Sequence, residues 1–128
     1  MQISSRLTAP EPQLPESRGA LANAGSVLLI EASQAMPLLD PRPGVQTVIL
    51  THRRMLSAKM LDTVRPDIIV APLIAGDWDL VDLGATLQSL GWRGPVHALT
   101  RPLPRGELIL GELSALYPAL SFHLLEAA

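Results

Sequence analysis

A chain of 128 residues with 48% hydrophobic content and a formal charge of −2 has room for one domain with an ample core, and offers no basic footprint for nucleic acid or an anionic bilayer. The absence of cysteine excludes disulfides, a thiolate nucleophile and a Cys-based metal centre. No stretch approaches the about 18 consecutive apolar residues of a membrane span, and the N-terminus lacks the basic start and apolar core of a secretory signal, so a soluble cytoplasmic protein is expected.

Residues 1–25 carry Pro10, Pro12 and Pro15 among Ser, Glu, Gln and Gly without a sustained period, and read as an extended or disordered N-terminal arm. The domain proper is expected over 26–128. Val27-Leu28-Leu29-Ile30 opens it as a short continuous apolar run, the mark of a strand buried on both faces. Only about one helical turn (Ser33–Leu39) fits before Asp40-Pro41-Arg42-Pro43-Gly44 breaks the chain. Val45–Leu50 is the second strand. Thr51 is placed to cap a helix running to about Arg65, with Leu56, Met60, Leu61 and Val64 on one stripe and Pro66 as its end.

Ile68-Ile69-Val70-Ala71 is the third strand. Asp79 caps the next helix, whose stripe is Leu80, Leu83, Leu87 and Leu90; Asp82 sits in its first turn, where a carboxylate suits the helix dipole. Gly91 supplies a left-handed stop, with Trp92 placed for the contact that accompanies it. Val96–Leu99 follows as a strand, then a helix from Pro104 or Arg105 carrying Ile109, Leu113, Leu116 and Tyr117, ended by Pro118, and a last strand over Ser121–Leu125. The alternation predicts an α/β fold of three layers, flavodoxin-like, with a five-stranded, mainly parallel sheet in the order 2-1-3-4-5. Its first helix is short and its fifth absent.

The run Arg65-Pro66-Asp67-Ile68-Ile69-Val70-Ala71-Pro72 resembles the middle of a response-regulator receiver domain, where a Pro-Asp pair and four apolar residues precede the phosphoacceptor aspartate. The resemblance continues in Asp79, seven residues past that position at the start of a helix, in Thr100 at the end of the fourth strand, and in Glu31 after the first. It spans about residues 26–126 in pattern. It also implies what has been lost. Pro72 stands in the phosphoacceptor position, Ala32 replaces the second member of the acidic pair, and the chain's single lysine is Lys59, far from the fifth strand. Phosphotransfer needs a carboxylate nucleophile, carboxylates for Mg²⁺ and a cation for the phosphoryl oxygens. A degenerate receiver, a pseudo-receiver that is not an enzyme, is therefore expected. Its role would be a signalling or protein-interaction module without cofactor or metal.

The competing expectation is a small-ligand or divalent-ion binder at the carboxyl edge of the sheet, where Glu31, Asp77, Asp79 and Thr100 should gather. Arg53-Arg54 and Arg101/Arg105 follow strand ends and suggest an anion site, though arginines there are more often solvated first-turn residues. His52, His97 and His123 lie on different elements, with no HxH or HxxxH spacing, and are expected to point to different faces. Ser33 and His52 suggest a triad only on paper, without a Gly-x-Ser-x-Gly elbow, and the turn Glu31-Ala32-Ser33-Gln34-Ala35 has no glycine for a pyrophosphate.

With one helix stunted and another missing, the sheet face over strands one, three and five is expected to be under-covered. Either the arm folds back over it, with Ile3, Leu7, Leu14 and Leu21 to contribute, or a partner covers it. Exchange of arms in a homo-oligomer, such as a dimer, would satisfy both.

Overall fold

The computed structural model describes residues 16–39 and 45–127. Its strands are β1 (Ser26–Ile30), β2 (Thr47–Thr51), β3 (Ile68–Pro72), β4 (Pro95–Thr100) and β5 (Ser121–Glu126). They form one sheet, parallel at every pairing, in the order β2-β1-β3-β4-β5. The continuous apolar runs have the expected cause: β1 and β3 lie inside the sheet with helices above and below, so successive side chains are buried whichever face they point to.

Among the described residues four α-helices flank it: α1 (Glu16–Asn23), α2 (Ala58–Val64), α3 (Leu80–Ser89) and α4 (Gly106–Leu116). One face packs Leu28, Ile30, Ile69, Ala71, Val96, Ala98 and Phe122 beneath Leu61 of α2, Leu80, Leu83 and Leu87 of α3 and Leu113 of α4. The connection from β1 to β2 holds a 3-10 helix over Ser33–Leu38, the stunted first crossover that the sequence implies. Among the described residues no helix follows β5.

Two local features differ from the sequence expectation, and a third bears on the alternatives it left open. Thr51 is the last residue of β2 and caps nothing; a 3-10 turn at Arg53–Met55 follows, and α2 begins only at Ala58, where Ser57 Oγ accepts a hydrogen bond from the Met60 N–H at 3.0 Å. The serine makes the N-cap bond that the threonine, paired in the sheet, does not. By contrast Asp79 caps α3 within a reciprocal box: its Oδ1 accepts from the Asp82 N–H at 3.0 Å while Asp82 Oδ2 accepts from the Asp79 N–H at 3.0 Å. At the other end Gly91 takes φ +85°, and the Gly91 and Trp92 N–H groups bond the carbonyls of Gln88 and Leu87, the paired closure of a Schellman turn.

The second difference is α1. Within the segment expected to be extended or disordered, residues 16–23 are helical; residues 1–15 lie outside the described part. Leu21 is fully buried against Val27, Leu29, Ile68, Val70 and Leu125, together with Ala35 and Leu39 from the first crossover. The Gln46 side-chain amide donates to the carbonyls of Leu21 and Ala24 at 2.8 and 2.7 Å, satisfying acceptors that the end of a helix leaves open. So short a helix has little stability alone, and tertiary contacts hold it in place.

The third follows from it. Over β1 and β3 the face expected to need a cover is closed by α1 and the first crossover, the arm-cover alternative, and Val27, Leu29, Ile68 and Val70 are buried there. Toward β4 and β5 the same face is less completely covered, with Leu99 and His123 half-buried.

Candidate functional site

The order 2-1-3 makes the carboxyl end of β1 the point where connections leave on opposite faces of the sheet, and crevices in open α/β folds form at such a point. A cleft of about 200 Å³ lies there, lined by Glu31 after β1, His52, Arg53 and Arg54 after β2, and Asp77 and Trp78 from the β3–α3 loop.

Glu31 is its organising residue. Its backbone takes φ +52°, a left-handed conformation that costs a non-glycine residue about 1–2 kcal/mol. Its N–H bonds the Thr51 carbonyl at 2.9 Å, continuing the β1–β2 ladder by one step. Its Oε2 accepts from the Arg53 N–H at 3.0 Å and from Trp78 Nε1 at 3.2 Å. The carboxylate thus staples the ends of β1, β2 and the β3–α3 loop. The Arg53 guanidinium lies over the Trp78 ring, 5.8 Å from its centroid, and its Nη2 reaches Thr86 Oγ1 of α3 at 3.5 Å. Arg53 Nε is buried with no hydrogen-bond partner.

Of the residues expected at this edge, Glu31 and Asp77 share the cleft; Asp79 and Thr100 do not line it. Asp79 is engaged in capping α3. Thr100 ends β4 opposite Glu126, and its hydroxyl donates to the Arg101 carbonyl at 3.0 Å. Pro72, in the position that the receiver resemblance gives to the phosphoacceptor, ends β3 beside Leu99 and carries no nucleophilic atom. Arg101 and Arg105 stand on the β4–α4 connection, away from Arg53 and Arg54. Ser33 and His52 line one neighbouring cleft of about 160 Å³, yet no hydrogen bond joins them.

The histidines correct the expectation that they diverge. His97 of β4 and His123 of β5 are register partners in a parallel pair, so their side chains emerge on the same face. The rings stack at 4.8 Å between centroids, and Ser121 Oγ lies 2.9 Å from His123 Nε2. Burial, and then the charge of His123, pushes the His97 imidazole down from 6.5 to about 4. His52 stands apart from them, just past the end of β2 at the opposite edge of the sheet. Sequence contained the signal for the pair: aligning Pro95 with Ser121 sets histidine against histidine two residues on.

Among the described residues no three His, Asp or Glu side chains are grouped to hold a metal ion, and no helix is long and apolar enough to cross a membrane. Asp67, the aspartate of the Pro-Asp pair, is a structural tie. Its Oδ2 accepts from the N–H groups of Gly25 and Ser26 at 2.9 and 3.0 Å, joining the start of β3 to the start of β1. Compared with known proteins, the chain matches no family model, no curated protein and no solved structure.

Proposed function

We propose that this chain is a non-catalytic, receiver-like module that works in the cytoplasm by binding a protein partner or a second copy of itself, without phosphorylation at the usual position. The observation that carries this reading is Pro72 at the end of β3, where the receiver reaction needs a carboxylate. The state of Glu31 supports it: the acidic residue retained from the pattern already accepts two hydrogen bonds from Arg53 and Trp78 and serves as a staple.

A second reading, a small-ligand or divalent-ion binder, is favoured by one observation: the cleft at the strand crossover combines a strained Glu31 backbone with the buried, unpaired Nε of Arg53. Thermal unfolding of the full chain with and without Mg²⁺, acetyl phosphate and nucleotides decides between them. A ligand at about 100 times its Kd adds about 2.7 kcal/mol to the native state, so a bound one raises the midpoint visibly. The interaction reading expects no shift with any of these. A saturable rise with Mg²⁺ or a nucleotide would transfer the function to the cleft.

A further inference from the structure

A second cleft, of about 210 Å³, lies between the start of α3 and the side of α4 that carries Ile109, Glu112, Leu113 and Leu116. Leu73, Ile109 and Leu113 contribute to its floor; Ile74, Val81 and Leu116 rim it and are 76%, 43% and 54% exposed. Leu116 is the telling one, because its spacing puts it on the stripe with Ile109 and Leu113, yet it stays half in water. Apolar side chains gathered in this way mark a binding groove more often than scattered ones do.

The frame that presents them is closed by hydrogen bonds. In the β3–α3 loop the Ala75 N–H bonds the Trp78 carbonyl at 2.8 Å and the Leu80 N–H bonds the Leu73 carbonyl at 3.0 Å, which holds Ile74 at an outward tip. Across the cleft, Tyr117 Oη donates to the Val81 carbonyl at 2.7 Å and links the end of α4 to the first turn of α3.

Charge selects the occupant. Asp79 and Glu112 line the cleft, Asp82 and Glu107 lie on the same two helices, and neither helix contains a lysine or arginine. Arg105, at the opposite end of α4, does not line it. A second copy docked about a twofold axis would bring these carboxylates toward their own images, whereas a cationic partner is drawn in. We propose that the cleft docks a basic amphipathic segment of another protein, its apolar side chains entering between Ile74, Val81 and Leu116 and its Lys or Arg side chains meeting Asp79 and Glu112. The inference rests on the interaction-module reading above and names the surface and the partner chemistry for it.

The test is fluorescence anisotropy with the full chain and three labelled peptides: an amphipathic helical Leu/Lys sequence, a scramble of the same composition, and a Leu/Glu sequence of the same pattern. The amphipathic Leu/Lys peptide is expected to bind at least about tenfold more tightly than either control. Ile74→Ser and Glu112→Lys should each weaken it about tenfold, while Leu50→Ser, at an exposed site on β2, leaves it unchanged. All three sites are at the surface, so circular dichroism melts should match the parent chain.

Equal affinity for the scramble, or indifference to Ile74→Ser, overturns the proposal. If sedimentation equilibrium shows a dimer that Ile74→Ser dissociates, the cleft belongs to a second copy; the basic partner is then wrong while the interaction reading stands. A melting shift with Mg²⁺ or nucleotides instead overturns the interaction reading itself.

Discussion

His97 and His123 face each other from neighbouring parallel strands with their rings stacked, and only one of them is shielded from water: His97 is 1% exposed, whereas His123 is half-buried. A stacked pair of imidazoles on a sheet face cannot take up two protons without bringing two charges together, and burial assigns the penalty to His97.

The consequence is a stability that declines in acid. His97 has a folded-state value of about 4 against an ordinary 6.5, so the unfolded chain takes up the proton first. The contribution of neutral His97 is complete above about pH 6.5 and is lost as the pH falls toward about 4, levelling off at up to about 3 kcal/mol. Urea unfolding across this window should show the decline in the parent chain and a shallower one in His97→Leu; matching slopes would refute the assignment. In NMR titrations, His123→Leu should move the His97 transition upward, since it removes the second cause.

Leu21 should behave as a core residue although it lies before the first strand. Truncation by Leu21→Ala opens a cavity above Val27, Leu29 and Val70 and is expected to cost about 2–5 kcal/mol, read from chemical denaturation. Removal of residues 1–24 should expose that face and lower stability or drive association. An unchanged monomer of equal stability would show that α1 is not the cover.

Gly84 on α3 approaches the Tyr117 ring so closely that an added Cβ would stand 2.4 Å from Cε2. Alanine favours a helix over glycine by about 1 kcal/mol, yet Gly84→Ala should destabilise here by about 1–3 kcal/mol because the ring must move and its bond to the Val81 carbonyl must break. In a Tyr117→Ala background the same change should stabilise. A double-mutant cycle with no reversal of sign would locate the contact elsewhere.

Glu31 carries two separable costs and benefits. Glu31→Ala leaves the Trp78 Nε1–H and the Arg53 N–H without their acceptor, an expected loss of about 1–3 kcal/mol with a change in tryptophan emission. Glu31→Gly loses the same bonds but relieves the positive φ, and should be the milder of the two by about 1 kcal/mol. Equal losses would mean the backbone there is not strained.

Much of the sheet was legible because its central strands are hydrophobic on both faces, and a run such as Val27–Ile30 admits few other placements. Asp79 and Gly91 were equally readable, since a carboxylate before an apolar stripe and a glycine after it act locally. What escaped depends on contacts between distant segments. The eight residues of α1 have little amphipathic pattern, and their helix exists because Leu21 and Gln46 meet across the fold. The same holds at the candidate sites: Glu31 and Asp77 were placed at one edge from strand ends alone, but nothing local told that Trp78 would take the Glu31 carboxylate or that Leu116 would remain half exposed.

The position of α1 also bears on how the chain is made. The segment that becomes α1 is synthesised before either strand it shields, so it is at hand when β1 and β3 pair, although its helix forms only in contact with them. In a sheet whose cover lies C-terminal to the strands, a nascent chain must keep an apolar face out of trouble until translation reaches it. Here the segment that covers β1 and β3 has already emerged when β3 is made, so on that face the strands wait only for its docking.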